Sequence, residues 1–534
     1  MLALEALLPV LILRQATFDS LLSSAWTTLG HFVNQSVQKW RLSYLPSKRS
    51  CNSCSIGKMF TEDISALVFD AGSHTIRVGF AGDDAPKIDL PAFVGVGPRP
   101  ENPPEKGESC GYIPFQHLGE NGTYYIGTIP IHFPREDVEM ATALHDSMIE
   151  DWDMFEGILQ FVYDYYIGNS SEFSALFTEP AWNRRDKREQ LAELMFEKFG
   201  SPAFFLAKSA VLAAYAHGRT SALVVDSGAS QTYAVAVLDG YCIPATIARS
   251  PLAGDFISTS CLQYLQSANI EVVPKYMIKS KESCDGGKQA VWKKKSDLPK
   301  VTQSFHNCMV KEAIDDLKAC ALQVSDTALE TELVEKYPRV HYEFPNGTGV
   351  DLGKERFEIT ETLFDTSFIK PGMLTSPALS ISSVISTSIN LCDNENRASL
   401  YGAVLVTGGN SLLSGFTERL NYEINQRLTS NVKVKLLHAP STLERRFGAW
   451  TGGSILGSLP AFQKMWISKQ EYEESGRGIV IKKCPEAFGT CAVHACVIWS
   501  RTHLLIRTVA SVGAALFGSK PAKRCPLLEK IRFR

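Results

Sequence analysis

Ser65-Ala-Leu-Val-Phe-Asp70-Ala-Gly72 and, 156 residues later, Ser221-Ala-Leu-Val-Val-Asp226-Ser-Gly228 are two versions of one octet. Each reads as a buried strand running into a tight turn of Asp, Gly and small hydroxyl residues. A second apolar strand follows Thr75 and Thr232, so each octet predicts a hairpin. Gly72 and Gly228 let the backbone approach a ligand closely, and the amides of such a turn suit phosphate oxygens. A lone strand-Asp-x-Gly is a common turn. Two matched copies instead predict two related domains that face each other across a cleft and grip one phosphate tail from both sides.

A third Gly-rich turn adds to this. Ala403-Val-Leu-Val-Thr407-Gly408-Gly409-Asn410 follows a strand and precedes a helical pattern over Phe416-Thr-Glu-Arg-Leu420-Asn-Tyr-Glu-Ile424, whose amino end favours an anion.

Bulk properties set the frame. At 534 residues the chain exceeds what one core supports, so two or more domains are expected. A net charge of −3 argues against broad electrostatic binding, so direct nucleic-acid contact is expected to be weak or absent. No membrane association is expected either. Thirteen scattered cysteines fit a reducing compartment better than a disulfide framework.

The ends differ from the middle. Residues 1–58 open on a short apolar run, Met1 to Leu13, below the roughly 20 residues a membrane span needs. They are expected to be a disordered extension, with Met59 as a candidate start and Cys51 and Cys54 as free thiols. Residues 486–534 carry eight Lys or Arg against two Glu and read as a basic tail. Between the ends, strands and helices alternate. Helices are predicted over Trp152–Tyr166 and Asp186–Phe199, the latter closed by Gly200. Residues 95–125 read as a protruding loop region, and residues 281–300, with Lys293-Lys-Lys295, as an exposed segment.

The motifs now carry a resemblance. Asp70-Ala-Gly-Ser-x-Thr-x-Arg-Val-Gly-Phe-Ala-Gly-Asp-Asp-Ala-Pro86 resembles the first phosphate loop of actin, Asp226-Ser-Gly the second, and Gly408-Gly409 the nucleoside turn. The block from Trp450 to Pro485 resembles an actin carboxyl terminus at almost every position. The likeness covers about residues 62–485. It implies an α/β protein with the actin fold, two duplicated ribonuclease-H-like domains around a nucleotide cleft. The domains would span 59–222 (with a protruding part near 95–140) and 223–445, with 446–485 returning to the first. Within that superfamily, Asp151-Trp-Asp, Ser250-Pro-Leu-Ala-Gly-Asp-Phe256, Val340-His-Tyr-Glu-Phe-Pro-Asn-Gly347 and Glu444-Arg-Arg-Phe447 resemble the actin-like protein 6 class of chromatin-remodelling (SWI/SNF) and histone-acetyltransferase subunits. That resemblance implies a nuclear, non-enzymatic subunit pairing with monomeric actin on a helix of a remodeller ATPase or scaffold.

The implied site holds ATP or ADP as a structural ligand, with Mg reached through bound water from Asp70 and Asp226. The resemblance assigns phosphate contacts to Gly72, Ser73, Arg77, Ser227 and Gly228, and nucleoside contacts to Lys318, Gly408, Gly409, Asn410, Arg446 and Phe447. Departures argue against turnover. Ser209 stands where actin has Gln, Ala229 where it has Asp, His74 where it has Gly, and Ala319 where it has Glu. Water-ordering groups needed for phosphoryl transfer are thereby lost. The competing expectation is an ATP-hydrolysing, filament-forming cytoskeletal actin-related protein.

Overall fold

The computed structural model describes residues 66–99, 116–119, 122–282, 290–428 and 432–484. The extension 1–58, Met59, Cys51, Cys54, residues 100–115 and the tail 486–534 lie outside the described residues. The chain divides after Asp63, and every described residue belongs to the second unit, Ile64–Arg534.

Two six-stranded sheets repeat one kernel. In the first, strand Ala66–Ala71 turns back as Thr75–Phe80 and lies parallel to Ser174–Glu179. In the second, Ala222–Ser227 turns back as Thr232–Leu238 and lies parallel to Val404–Thr407. Ala203–Lys208, Ile467–Ser468 and Ile88–Pro91 complete the first sheet; Leu436–Leu437, Tyr241–Cys242 and Ala248–Ser250 complete the second. The central strands are buried on both faces, which is why Leu67-Val68-Phe69 and Leu223-Val224-Val225 read as continuous apolar runs rather than alternating ones.

Alternation decides where the second sheet's side chains go. Val224, Val235 and Leu405 join the core of the first sheet. Leu223, Val225, Val404 and Val406 face the other way, in a core shared with residues of helices Gly254–Ser267, Gln303–Ala321 and Ile381–Asn390. Helices Ser209–Ala216 and Gly448–Gly457 cross closely and pack on the central strands. Trp450 is fully buried there, and its indole N–H donates to the Val68 carbonyl at 3.1 Å. We propose the division 59–222, 223–445 and 446–485 as domain boundaries; the edge strand Ile467–Ser468 beside Ala203–Lys208 supports the return of the last segment to the first sheet.

Some expectations change. The region 95–125 is not simply loop: Phe93–Gly97, Gln116–Leu118 and Thr123–Tyr125 join Glu139–Thr142 in a four-stranded sheet. Two of these strands are three residues long and Phe93–Gly97 has glycine at two of its five positions, so no long alternating pattern announces them. The two predicted helices form over Trp152–Val162 and Arg185–Glu193, and each ends in a π-turn, Tyr163–Ile167 and Leu194–Lys198. Gly200 has φ +64°, the left-handed geometry expected of a C-terminal cap. After Gly408 the chain first makes a short turn, Gly409–Leu412, and the longer helix begins only at Phe416.

The helix crossing yields a first expectation. A Cβ at Gly452 would sit 1.8 Å from the Leu212 carbonyl oxygen, a backbone atom that cannot rotate away. Gly452→Ala should therefore lower stability by about 2 kcal/mol or more, the range of core overpacking. Thermal unfolding checks this, and an unchanged midpoint would contradict the close crossing.

Candidate nucleotide cleft

The two octets end in turns of the same construction. The Gly72 amide donates to the Thr75 carbonyl at 3.0 Å, and the Gly228 amide to the Gln231 carbonyl at 3.0 Å. The tips face each other: the Ser73 and Ser230 hydroxyl oxygens are 2.9 Å apart. Around them lies a cavity of about 830 Å³, lined by both turns and by Gly408, Gly409, Lys318 and Arg446. That size is in the range of small-molecule and cofactor sites. Among the described residues, no main-chain carbonyl accepts from the amides of Ser73, His74, Ala229 or Ser230, all of which line the cavity.

The repeat breaks at one position. Hairpin register places Arg77 opposite Asp70 and Tyr233 opposite Asp226. Asp70 is fully engaged: Arg77 donates to one carboxylate oxygen at 3.1 Å and the Thr178 hydroxyl to the other at 2.7 Å. Asp226 has a phenol in place of that cation. Burial, and then the charge of Asp70, push its carboxyl up to about 6, with the Tyr233 hydroxyl and Arg77 pulling the other way. Tyr233 is itself pushed well above its ordinary value, by burial first and then by Asp226. Its hydroxyl lies 3.2 Å from that of Ser209, and its ring meets the edge of Trp182 at 5.1 Å. Arg249 stacks over Trp182 at 4.6 Å and pairs with Asp146 at 2.8 Å. An aromatic and ionic stack thus walls the cleft beside the turns.

The expected site residues fall into two groups. Asp70, Gly72, Ser73, Arg77, Asp226, Gly228, Lys318, Gly408, Gly409, Asn410 and Arg446 line the cavity, as do Ser209, Ala229, His74 and Ala319. Ser227 and Phe447 do not. Ser227 is fully buried, bonded to the Thr232 hydroxyl and to the Asn410 amide at 2.8 and 3.1 Å. Phe447 is buried under the guanidinium groups of Arg77 and Arg446, at 5.1 and 5.6 Å. Asn410 also donates to the Gly228 carbonyl at 2.7 Å, so its side chain ties the third turn to the second. A Cβ at Gly408, where φ is +92°, would lie 2.3 Å from the Ser227 carbonyl oxygen, whereas one at Gly409 would meet nothing within 4 Å. Lys318 bonds to Asp315, Ser258 and the Gly254 carbonyl. Sequence reading missed Thr178, Tyr233 and Trp182. Tyr233 carried a signal: it is the 156-residue repeat partner of Arg77.

The four-stranded sheet is held against helix Gln303–Ala321. The Thr302 hydroxyl donates to the Val138 carbonyl at 2.6 Å, the Met140 amide donates to Ser304 at 2.9 Å, and Ser304 bonds Glu139. Lys311 lies over the Phe93 ring at 5.2 Å. His132 reaches Glu312 at 2.8 Å, and that carboxylate raises the imidazole above its ordinary value while nearby Lys275 opposes it.

Comparison with known proteins agrees with this geometry. The family described as Actin matches residues 61–485. The chain is 34% identical over 443 residues to actin-related protein 4 of rice (Oryza sativa subsp. japonica), covering 79% of this chain and 99% of that protein. Actin-related protein 4 of Arabidopsis thaliana is 33% identical over 440 residues, with the same coverage. The protein named SWI/SNF and RSC complexes subunit arp42 in Schizosaccharomyces pombe is 32% identical over 447 residues, again covering 79% and 99%. The family agrees with the resemblance drawn from the motifs. The finer label differs: these relatives are called actin-related protein 4 or a SWI/SNF and RSC subunit, rather than actin-like protein 6.

Two expectations follow from the charges. Because the folded value for Asp226 lies above its unfolded value near 4, folding takes up a proton between the two. The group's cost is absent below pH 4 and grows as pH rises through about 6. Asp226→Asn should thus raise the unfolding free energy of nucleotide-free protein at pH 7.5, on the order of 1–3 kcal/mol, and less at pH 4.5. A gain that is equal at both pH values would refute the assignment. For His132, a raised folded value means its contribution is present at low pH and lost as pH rises through that value. Glu312→Gln should speed amide exchange in Glu139–Thr142 a few-fold relative to the parent at pH 6.5, as befits a half-exposed pair. The ratio should approach one well above neutrality.

Proposed function

The chain belongs to the actin family, and we propose that it serves as a nuclear, non-catalytic actin-related subunit of chromatin-remodelling and histone-acetyltransferase complexes. In this reading it pairs with monomeric actin on a helix of the remodeller ATPase or scaffold and supports transcription regulation. ATP (or ADP) with Mg is its structural ligand. The names of the relatives favour this over a filament-forming cytoskeletal role, since one of them is a SWI/SNF and RSC subunit.

The observation that carries the non-catalytic half is the Ser209–Tyr233 contact. Hydrolysis of a bound triphosphate needs polar groups free to order a water in line with the terminal phosphate. Ser209 is short, and its hydroxyl is within bonding distance of a phenol. Ala229 offers no side-chain oxygen, and the Asp226 carboxyl is held above the ordinary carboxylate range, while Asp70 is already paired with Arg77. Each loss of a water-orienting or charge-stabilising group costs about 10²-fold or more.

The binding parts remain in place. The turn amides at Gly72–His74 and Gly228–Ser230 suit phosphate oxygens, Asp70 and Asp226 would hold Mg through its water, and Lys318 would approach the ribose. Gly408 and Gly409 would lie against the nucleoside, with Arg446 over the base and Phe447 supporting it from behind. The metal, when bound, screens phosphate charge; everything else in the cleft is binding and orientation. Such a ligand stabilises the folded state by mass action.

Purified protein should release phosphate from Mg-ATP at least ~10²-fold more slowly than actin. It should elute as a one-to-one complex with monomeric actin in the presence of the partner helix, and stay in the supernatant on adding magnesium and salt. Actin-like turnover, or pelleting as filaments, would overturn the proposal.

A further inference from the structure

Strands Ile278–Glu282 and Val291–Lys294 pair antiparallel as a two-stranded ribbon that, among the described residues, joins no other sheet. Residues 275–300 contain eight lysines against three acidic residues, in a chain whose net charge is −3. Lys275, Lys279, Lys281, Lys293, Lys294, Lys295 and Lys300 are all exposed. Among the described residues, Lys281 alone of these seven has an ion-pair partner, Glu343 at 2.6 Å. The residues directly opposite Lys293 and Lys294, Ser280 and Ile278, carry no charge, while Lys275 lies near the Glu312 carboxylate. The Lys295 amide continues the edge, donating to the Met277 carbonyl at 2.9 Å. Trp292 is half-buried between them and Val291 is exposed.

Concentrating like charge on a narrow ribbon is unfavourable unless a polyanion neutralises it. Side chains alternate faces along an extended strand, so Lys293 and Lys295 share one face about 7 Å apart, close to two phosphate spacings along one DNA strand. A two-stranded ribbon also fits the width of a DNA groove. We propose that this lysine hairpin contacts the phosphate backbone of duplex DNA, weakly and without sequence preference. The inference rests on the chromatin reading for the availability of DNA, but the surface itself is independent of the nucleotide cleft. It localises to one ribbon what a near-neutral chain cannot do over its whole surface.

Fluorescence anisotropy with a 30-base-pair duplex of arbitrary sequence, using the full chain, tests this. Binding should weaken steeply with salt. The triple variant Lys293→Gln, Lys294→Gln, Lys295→Gln should reduce the slope of log K against log salt by about 1.8, or about 0.9 for each of the two phosphate contacts made from one face. Between 50 and 200 mM salt the parent should then lose about 12-fold more affinity than the variant. Replacing the same three residues by Arg should retain the slope, and thermal unfolding should show both variants folded. An unchanged slope in the Gln variant would overturn the proposal by assigning binding to the tail. No binding of the parent at 50 mM, or tighter binding to anionic phospholipid vesicles than to the duplex, would also overturn it. If DNA binding fails while the actin complex still forms, this inference falls and the function proposed above stands.

Discussion

Everything in the cleft depends on how closely two helices cross. The Leu212 carbonyl occupies the place where any side chain at residue 452 would begin, and at Gly453 a Cβ would meet the Val68 side chain. Glycine in a helix interior costs about 1 kcal/mol in propensity, so the run Trp450-Thr-Gly-Gly-Ser is unfavourable as an isolated helix. It is favourable here because close approach lets one apolar core extend from the first sheet through both helices to one face of the second. Dispersion and burial over that shared core far exceed the propensity loss. With the sheets fixed at that separation, two turns on different strands arrive within hydroxyl contact at Ser73 and Ser230.

This explains why so much was legible from two octets. Strand-turn-strand units buried on both faces leave continuous apolar runs, and a repeated run fixes a repeated fold, so the paired kernels were readable without three-dimensional information. The third turn was readable too, because a strand ending in Gly408-Gly409 has few other uses. The side chains behind the turns were less so. Ser227 looks like a phosphate-loop serine by its neighbours, yet the Thr232 and Asn410 side chains claim its hydroxyl. Nothing local to Ser227 encodes Asn410, which is 183 residues away. Trp182 belongs to the wall for the same kind of reason: its partner Tyr233 is on the other sheet. The four-stranded sheet was read as loop because Phe93–Gly97 has glycine at two of five positions, and its stability comes from helix Gln303–Ala321 rather than from its own pattern.

The duplication also shows where the two halves have diverged in charge. A symmetric cleft with Asp70 and Asp226 both ionised would place two carboxylates around the same ligand with little water to screen them. Arg77 relieves this on one side. On the other, Tyr233 offers one hydrogen bond but no charge, and Asp226 responds by holding its proton to about pH 6. Such a carboxyl releases its proton more readily with a divalent cation beside it, because the cation reverses the electrostatic term that raised it. Asp226 therefore carries a cost at neutral pH that an Mg-bearing ligand would lower. Coupling of that kind favours a cleft that stays filled over one that cycles. It accords with the structural ligand proposed above, in a cleft where Ser209 and Ala229 stand at the positions assigned to ordering the attacking water.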